Sequence, residues 1–385
     1  MNKYKITSII FIFIIGLIFV ITMINNRNEV LSLLKQDNII EETNKIYTTK
    51  VAFSNGFLSL WSITQKFFNT QLLDDAEYGH IIRDKTGNLY FPATDVDISN
   101  YAQNTIDFSN FLKDKKISFA YIQAPNKVIN GYSEDIIFQY NFSNKNADEF
   151  LEKLTLNRVD TLDLRKTIVE SGIPKEKLFY KTDHHWTTPS AFCAFQEIVQ
   201  FLKSKYHLAI DEKYISPSNF EKKVIPKCFL GSLGRRVGIE VAGLDDYVFI
   251  EPKFETNYEI IDGSIKKVIS SGDFRSAIVI DKILNSDDVE ANKHATYFEW
   301  DYGNLIIKNN IVQNNLKILL IKDSYALPVA AFLSSAIKEL HMVDLRAVPT
   351  VDLKKYVEGN NFDVVVMLYN TECFNDTMFH FNKSS

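Results

Sequence analysis

Two short stretches carry side chains able to move a proton and attack a carbonyl. The first, Phe179 to Phe192, reads FYKTDHHWTTPSAF and sets Asp183, His184, His185 and Trp186 side by side ahead of Thr188 and Pro189. Thr188-Pro189 makes an N-cap and first-turn proline, and Phe192, Phe195, Val199, Leu202 and Tyr206 continue at helical spacing. The helix is therefore predicted to start after the motif, which leaves Leu178–Trp186 extended or in a turn, where side chains two apart point the same way. On that reading Asp183 and His185 share a side and His184 faces the other. A carboxylate that accepts the Nδ1 proton of an imidazole fixes its tautomer and frees Nε2 as a general base. His185 is the candidate base and Asp183 its orienter. The bland alternative is a surface acid and two histidines packed ahead of a helix.

A base needs a nucleophile. The second stretch, KILLIKDSYALP, ends an apolar strand at Lys322 and passes through Asp323, Ser324 and Tyr325 into a helix. A serine at the C-terminal end of a parallel strand, beside a helix N-terminus, stands where open α/β sheets place their sites and where backbone N–H groups can stabilise an oxyanion. Taken alone, Asp323 or Ser324 reads equally as a helix cap. Around this pair, Tyr325, Asn370, Arg346, His184 and Trp186 are the candidates for oxyanion or substrate contact. Asn370 also reads as a turn residue and Arg346 as half of a surface ion pair.

The elements that must hold these residues follow a β/α alternation. Residues 317–369 predict strand 317–322, helix 327–340, strand 341–345, helix 351–358 and strand 363–369, which implies βαβ units and a parallel sheet. Earlier, a helix over Ile98–Lys113 precedes KISFAYIQAP, apolar enough for a strand covered on both faces, and GHIIRDKTGNLYF predicts a hairpin. Between the halves, about 221–300 reads as a β-rich insertion or mobile loop. Its Gly231, Gly234 and Gly238 match no phosphate-binding fingerprint; they suggest a flexible loop with Arg235 and Arg236 as sugar or carboxylate contacts.

The chain has 385 residues, 46% of them hydrophobic and 13% aromatic, which is ample for a large core. A net charge of −5 with no long basic run argues against nucleic acid. Cys193, Cys228 and Cys373 show neither a disulfide framework nor metal spacing. Ile6–Ile24 is an uncharged apolar run after Lys3 and Lys5, long enough to span a bilayer and followed by NNRNEV instead of a small-residue cleavage site. The expected arrangement is a cytoplasmic tip and single-pass anchor (1–26), a helical stalk (27–75) and an extracytoplasmic catalytic domain (76–385), oriented by the positive-inside rule.

A membrane-anchored ectodomain with T-D-H-H-W-T before a helix and a later strand-D-S-Y-helix resembles the DHHW and alginate O-acetyltransferase proteins, which are SGNH-hydrolase-like. The resemblance runs from about Tyr78 to Asn370, including the hairpin and the IQAPNK strand end, and is weakest over 207–310. It implies a parallel sheet flanked by helices and a triad of Asp183, His185 and Ser324, in an order permuted from SGNH enzymes with serine first. It further implies transfer or hydrolysis of an acyl group, acetyl above all, on hydroxyls of a cell-surface polysaccharide, without a cofactor, the donor coming from a multipass membrane acyltransferase. The chain departs from the SGNH pattern in having Lys322 before Asp323-Ser324 instead of glycine, and in lacking GxND. Two other readings stay open: a non-catalytic scaffold of the same fold, and a metal-dependent phosphoesterase built on Asp183-His184-His185, for which the remaining histidines stand too far apart in sequence to complete a ligand set.

Overall fold

The computed structural model describes residues 3–28, 51–299, 302–348 and 351–381. The chain divides into two compact units, Met1–Asn69 and Thr70–Ser385. In the first, helix α1 (Lys3–Asn25) contains a window, Ser8–Asn25, long and apolar enough to cross a membrane. Helix α2 (Ser54–Phe67) follows. Of the stalk predicted over 27–75, residues 29–50 lie outside the described ones, and Leu72–Asp75 form a strand instead, β1. Leu73 is buried there and its backbone pairs with Ile81, so pairing overrides the helical pattern.

The second unit opens with a three-stranded antiparallel sheet of β1, β2 (Gly79–Arg83) and β3 (Leu89–Tyr90). The expected hairpin turn is closed by Asp84, whose carboxylate accepts the N–H of Thr86 (2.9 Å) and of Asn88 (2.8 Å). The main sheet draws on β4 (Ser118–Gln123) and β5 (Asp160–Asp163). A separate two-stranded ribbon, β6 (Phe220–Phe229) with β7 (Asp245–Pro252), comes next in the chain. It is followed by β8 (Tyr258–Asp262), β9 (Lys267–Gly272), β10 (Asn304–Asn309), β11 (Lys317–Lys322), β12 (Glu339–Val343) and β13 (Val364–Tyr369). The eight strands run in the order β5-β4-β13-β11-β12-β10-β8-β9; the first five are parallel and the last three antiparallel.

Helices cover both faces. The flanking helices are α3 (Ser99–Asp114), α4 (Ser143–Leu156), α5 (Thr188–Tyr206), α6 (Ser232–Val237), α7 (Ala326–Ser334) and α8 (Leu353–Glu358). Along β11, Ile318 and Leu320 pack into one cluster with Phe192 and Phe195 of α5 and Phe332 of α7, while Leu319 and Ile321 pack into another with Phe108, Phe150 and Leu353. A strand covered on both sides has no wet face, which is why KILLIK carries no polar alternation.

Two expectations change here. The segment 221–300 is β-rich, as expected, but the mobile-loop alternative falls away, because β8 and β9 join β10 and lengthen the main sheet. Helix α7 stops at Ser334, short of the predicted residue 340, since the chain must turn to enter β12 at Glu339.

Candidate active site

The parallel strands β4, β11, β12 and β13 end on one edge of the sheet, and the loops after them carry Lys127, Ser324, Arg346 and Asn370. The 179–186 segment meets this edge from the side. It is a tight turn: Phe179 bridges Trp186, and the Tyr180 N–H donates to the His185 carbonyl at 3.2 Å. Asp183 folds it further, its Oδ1 accepting the His185 backbone N–H at 2.9 Å and contacting His185 Nδ1 at 2.6 Å. His185 Nε2 lies 2.8 Å from Ser324 Oγ. The two predicted stretches, 139 residues apart, thus meet in an unbroken carboxylate–imidazole–hydroxyl chain.

Three features build that turn. The Lys127 ammonium, buried, donates to the carbonyls of Leu89 (2.9 Å), Tyr180 (2.5 Å), Lys181 (2.8 Å) and Asp183 (3.3 Å), and its burial lowers its pKa to about 8. Asp245 accepts from the N–H of Lys181 (2.7 Å) and of Thr182 (2.8 Å). From α6, the Ser232 N–H donates to Asp183 Oδ2 at 2.7 Å. A Cβ on Gly231 would stand 2.3 Å from the Asp183 Cβ, so glycine is needed there for close approach. The expectation of a flexible glycine loop is therefore corrected: GSLGRRV is a short helix pressed against the acid. Its arginines are committed as well, Arg235 to the carbonyls of Leu230 and Glu290 (both 3.1 Å) and Arg236 to Asp75 (3.3 Å) and Glu77.

Opposite, Asp323 ties the serine turn together. Its Oδ1 accepts the Tyr325 N–H (2.9 Å), and its Oδ2 accepts the Asn370 N–H (2.6 Å) and the Cys373 S–H (3.0 Å). Lys322, in the place of a glycine, is fully buried and pairs with Asp344 at 2.9 Å. Arg346 closes on the same carboxylate at 2.6 Å, an ion pair to a buried acid and not one lying on the surface. Trp186 and Tyr325, expected near substrate, are fully buried: Trp186 Nε1–H donates to the Tyr325 carbonyl at 3.0 Å and Tyr325 Oη–H to the His184 carbonyl at 2.5 Å. They pin the two turns to each other and offer no surface to a ligand. The Asn370 amide NH₂ and the Ser324 backbone N–H have no hydrogen-bond partner among the described residues, which leaves them available to a developing oxyanion.

His184 does not face away as an extended segment would require. Its ring lies 3.9 Å from that of His185, and its Nδ1 is 3.1 Å from Ser232 Oγ. The turn at Asp183, not strand pleat, sets both directions. His184 is the more open of the two, lining a cleft with Phe91, Asn126, Leu233 and Glu372. Desolvation of the half-buried Glu372 carboxyl, with Asp323 and Asp183 nearby, raises its pKa to about 8.

His294, which stands alone in sequence, also reaches the site. Its ring stacks on His185 at 3.7 Å and 14°, and its Nε2–H donates to the Ser324 carbonyl at 2.8 Å. It sits in KHAT, a context with no motif, so no local signal could have marked it.

Burial drives His185 well below the ordinary histidine pKa, and its neighbours His184 and His294 push the same way. Burial alone would raise Asp183, but His185, His184 and the Ser232 N–H hold its carboxyl well below the usual range. A neutral imidazole beside an ionised acid is the state a general base requires. Ligand atoms of Asp183, His184 and His185 also lie within 4.8 Å of one another. A cation there would compete with the N–H donors that Asp183 already accepts.

A mostly parallel sheet with a site at the C-terminal ends of its strands is an open α/β architecture, and its fold stands beside those of SGNH-hydrolase-like proteins. Residues 90–242 match the family model described as the SGNH hydrolase-like domain of the acetyltransferase AlgX, so the resemblance drawn from the sequence stands. Among solved structures, Bacillus cereus PatB1 is similar at 23% identity and TM-score 0.64, covering 78% of this chain and 99% of its own. PatB1 with a sulfonyl adduct aligns at 22% and 0.63, over 79% and 100%. A DHHW family protein from Eubacterium siraeum aligns at 16% and 0.60, over 82% and 99%. At these identities the likeness is one of fold. No curated protein matches the chain by sequence.

Proposed function

We propose that the protein is an O-acyltransferase, moving acetyl to a hydroxyl of a cell-surface polysaccharide outside the cytoplasm, with α1 as its membrane anchor. The observation that carries this reading is the Asp183–His185–Ser324 chain, at 2.6 and 2.8 Å. Ser324 Oγ attacks the acyl carbonyl carbon while its proton passes to His185 Nε2, and Asp183 balances the imidazolium. His185 returns the proton to the departing donor oxygen, leaving an acyl ester on Ser324. An acceptor hydroxyl then gives its proton to His185 as its oxygen takes the acyl group, and Ser324 is restored. The Ser324 N–H and the Asn370 amide are the donors assigned to the tetrahedral oxyanion. The family resemblance supports acetyl as the group and a multipass membrane acyltransferase as its supplier.

The test is to incubate the protein with an acetyl ester and a panel of glycans, with and without chelator. Acetylated glycan that forms despite the chelator supports the reading. Ester cleavage alone would reassign the protein as an esterase, loss with chelator would favour a metal site at Asp183-His184-His185, and no turnover would favour a scaffold.

A further inference from the structure

We infer that α2 is a second membrane contact, its apolar face lying in the interfacial layer of the bilayer that α1 crosses; this rests on the anchor reading above. Helix α2 lies in the segment read from sequence as a helical stalk, and it leaves large apolar side chains exposed. Phe53, Phe57, Leu60, Ile63, Phe67 and Phe68 are 49% to 81% exposed. Their spacing of i, i+4, i+7 and i+14, with Ile63 and Phe68 flanking, puts all six on one side of the helix. Ser59, Ser62, Gln65 and Lys66 take the other side, and Lys66 is the only charged residue from 53 to 68.

The level of the helix identifies its occupant. The Ala52 N–H donates to Thr22 Oγ1 of α1 at 3.0 Å. Thr22 precedes Asn25, the last residue of α1, by three positions, about 4.5 Å of rise. The start of α2 is therefore tied to the end of the apolar span, where hydrocarbon gives way to headgroups. A helix about 21 Å long leaving that depth, with a face of large apolar side chains interrupted by Thr64, whose hydroxyl donates to the Leu60 carbonyl at 2.9 Å, and no acidic residue, has the make-up of an interfacial amphipathic helix. Removing large apolar side chains such as these from water is favourable.

The experiment uses the full chain in phosphatidylglycerol–phosphatidylcholine vesicles, with a protease site inserted after Asp37. After cleavage, most of the body is expected to stay with the vesicles, whereas Phe57→Ser/Leu60→Ser/Phe67→Ser should release it at least tenfold more with its ester hydrolysis intact. Uncut protein that never binds vesicles would overturn the anchor reading and this one together. Uncut protein that binds, but a wild-type body released on cleavage, would overturn only the α2 assignment. A released body that is dimeric would give the face to a second copy, and equal retention of the triple variant would place the contact elsewhere; either outcome overturns the assignment.

Discussion

The molecule contains two acid-x-histidine pairs, Asp183/His185 and Glu339/His341, and they differ in which hydroxyl faces the imidazole and where it stands. His341 lies in β12, where residues two apart share a face. Its Nε2 contacts Glu339 at 2.7 Å and its Nδ1 the Tyr356 hydroxyl at 2.6 Å, and Tyr356 passes on to Asn304 at 3.1 Å. Both ring nitrogens are occupied inside a buried network. His185 has the same spacing in a turn, and likewise an acid on one nitrogen and a hydroxyl on the other, but its hydroxyl is Ser324, at the C-terminal edge of the parallel strands, where Tyr356 instead passes on to Asn304. The spacing makes a dyad in either setting. Only a ring nitrogen facing a reactive partner at an accessible edge makes that dyad useful for catalysis.

The sharpest way to break this contrast is at the hydroxyl. Ser324→Ala is expected to lower ester turnover by about a thousandfold or more, and adding His185→Ala should cost little beyond that, because groups acting as a unit are not additive. Losses that multiply would mean the two act separately. Asp183→Asn should cost less than either single change.

Next comes the pair of histidines. His185→Ala should cost a hundredfold or more in turnover with a small change in melting temperature. For His341→Ala the pattern should invert: turnover nearly intact, stability down by about 2–4 kcal/mol as a buried network is broken. Equal effects on both readouts would erase the distinction drawn between the two dyads.

His294 gives a finer test. His294→Phe keeps a ring against His185 but removes the donor to the Ser324 carbonyl, so turnover should fall about tenfold, the value of one hydrogen bond. Because the His185 pKa is lowered, its base form persists below the ordinary value of 6.5, and the acidic limb of kcat/KM should lie under pH 6.5. A limb above 6.5 would assign the base elsewhere.

The smallest expected effect concerns the other acid. Hydrogen bonding from His341 and Lys317 depresses Glu339 to about 2. A carboxylate with a depressed folded pKa contributes stability above its unfolded value of 4.5 and loses it as pH falls toward 2. Melting curves should show that loss in the wild type and a flatter acid dependence in Glu339→Gln; parallel curves would detach Glu339 from the network.

Much of this site was legible in sequence because its signals are local. A proline after Thr188 marks the helix start, an apolar run ending at Lys322 marks the strand end, and Asp183 and His185 are near neighbours. The direction of His184 was misread because an Asx-type turn and an extended strand give the same i, i+2 relation for Asp183 and His185 but different neighbours for the residue between. His294 could not be found this way, and neither could the role of Gly231, read as part of a flexible loop. Each matters through a contact across the fold, His294 with Ser324 and Gly231 with Asp183, and no local pattern announces either contact. The lengthening of the sheet by β8, β9 and β10 escaped notice for a similar reason: β8 and β9 form a local hairpin, but they join the sheet only through β10, whose pairing with β8 and β12 leaves no local trace.

The central claim, that Ser324 is the nucleophile activated by His185, is tested most directly by trapping. The protein is treated with a sulfonyl fluoride, and the adduct is located by peptide mass spectrometry. One adduct on Ser324, greatly slowed in His185→Ala and missing in Ser324→Ala, is the predicted result. Labelling of another residue, or labelling of Ser324 at an unchanged rate without His185, would contradict the account.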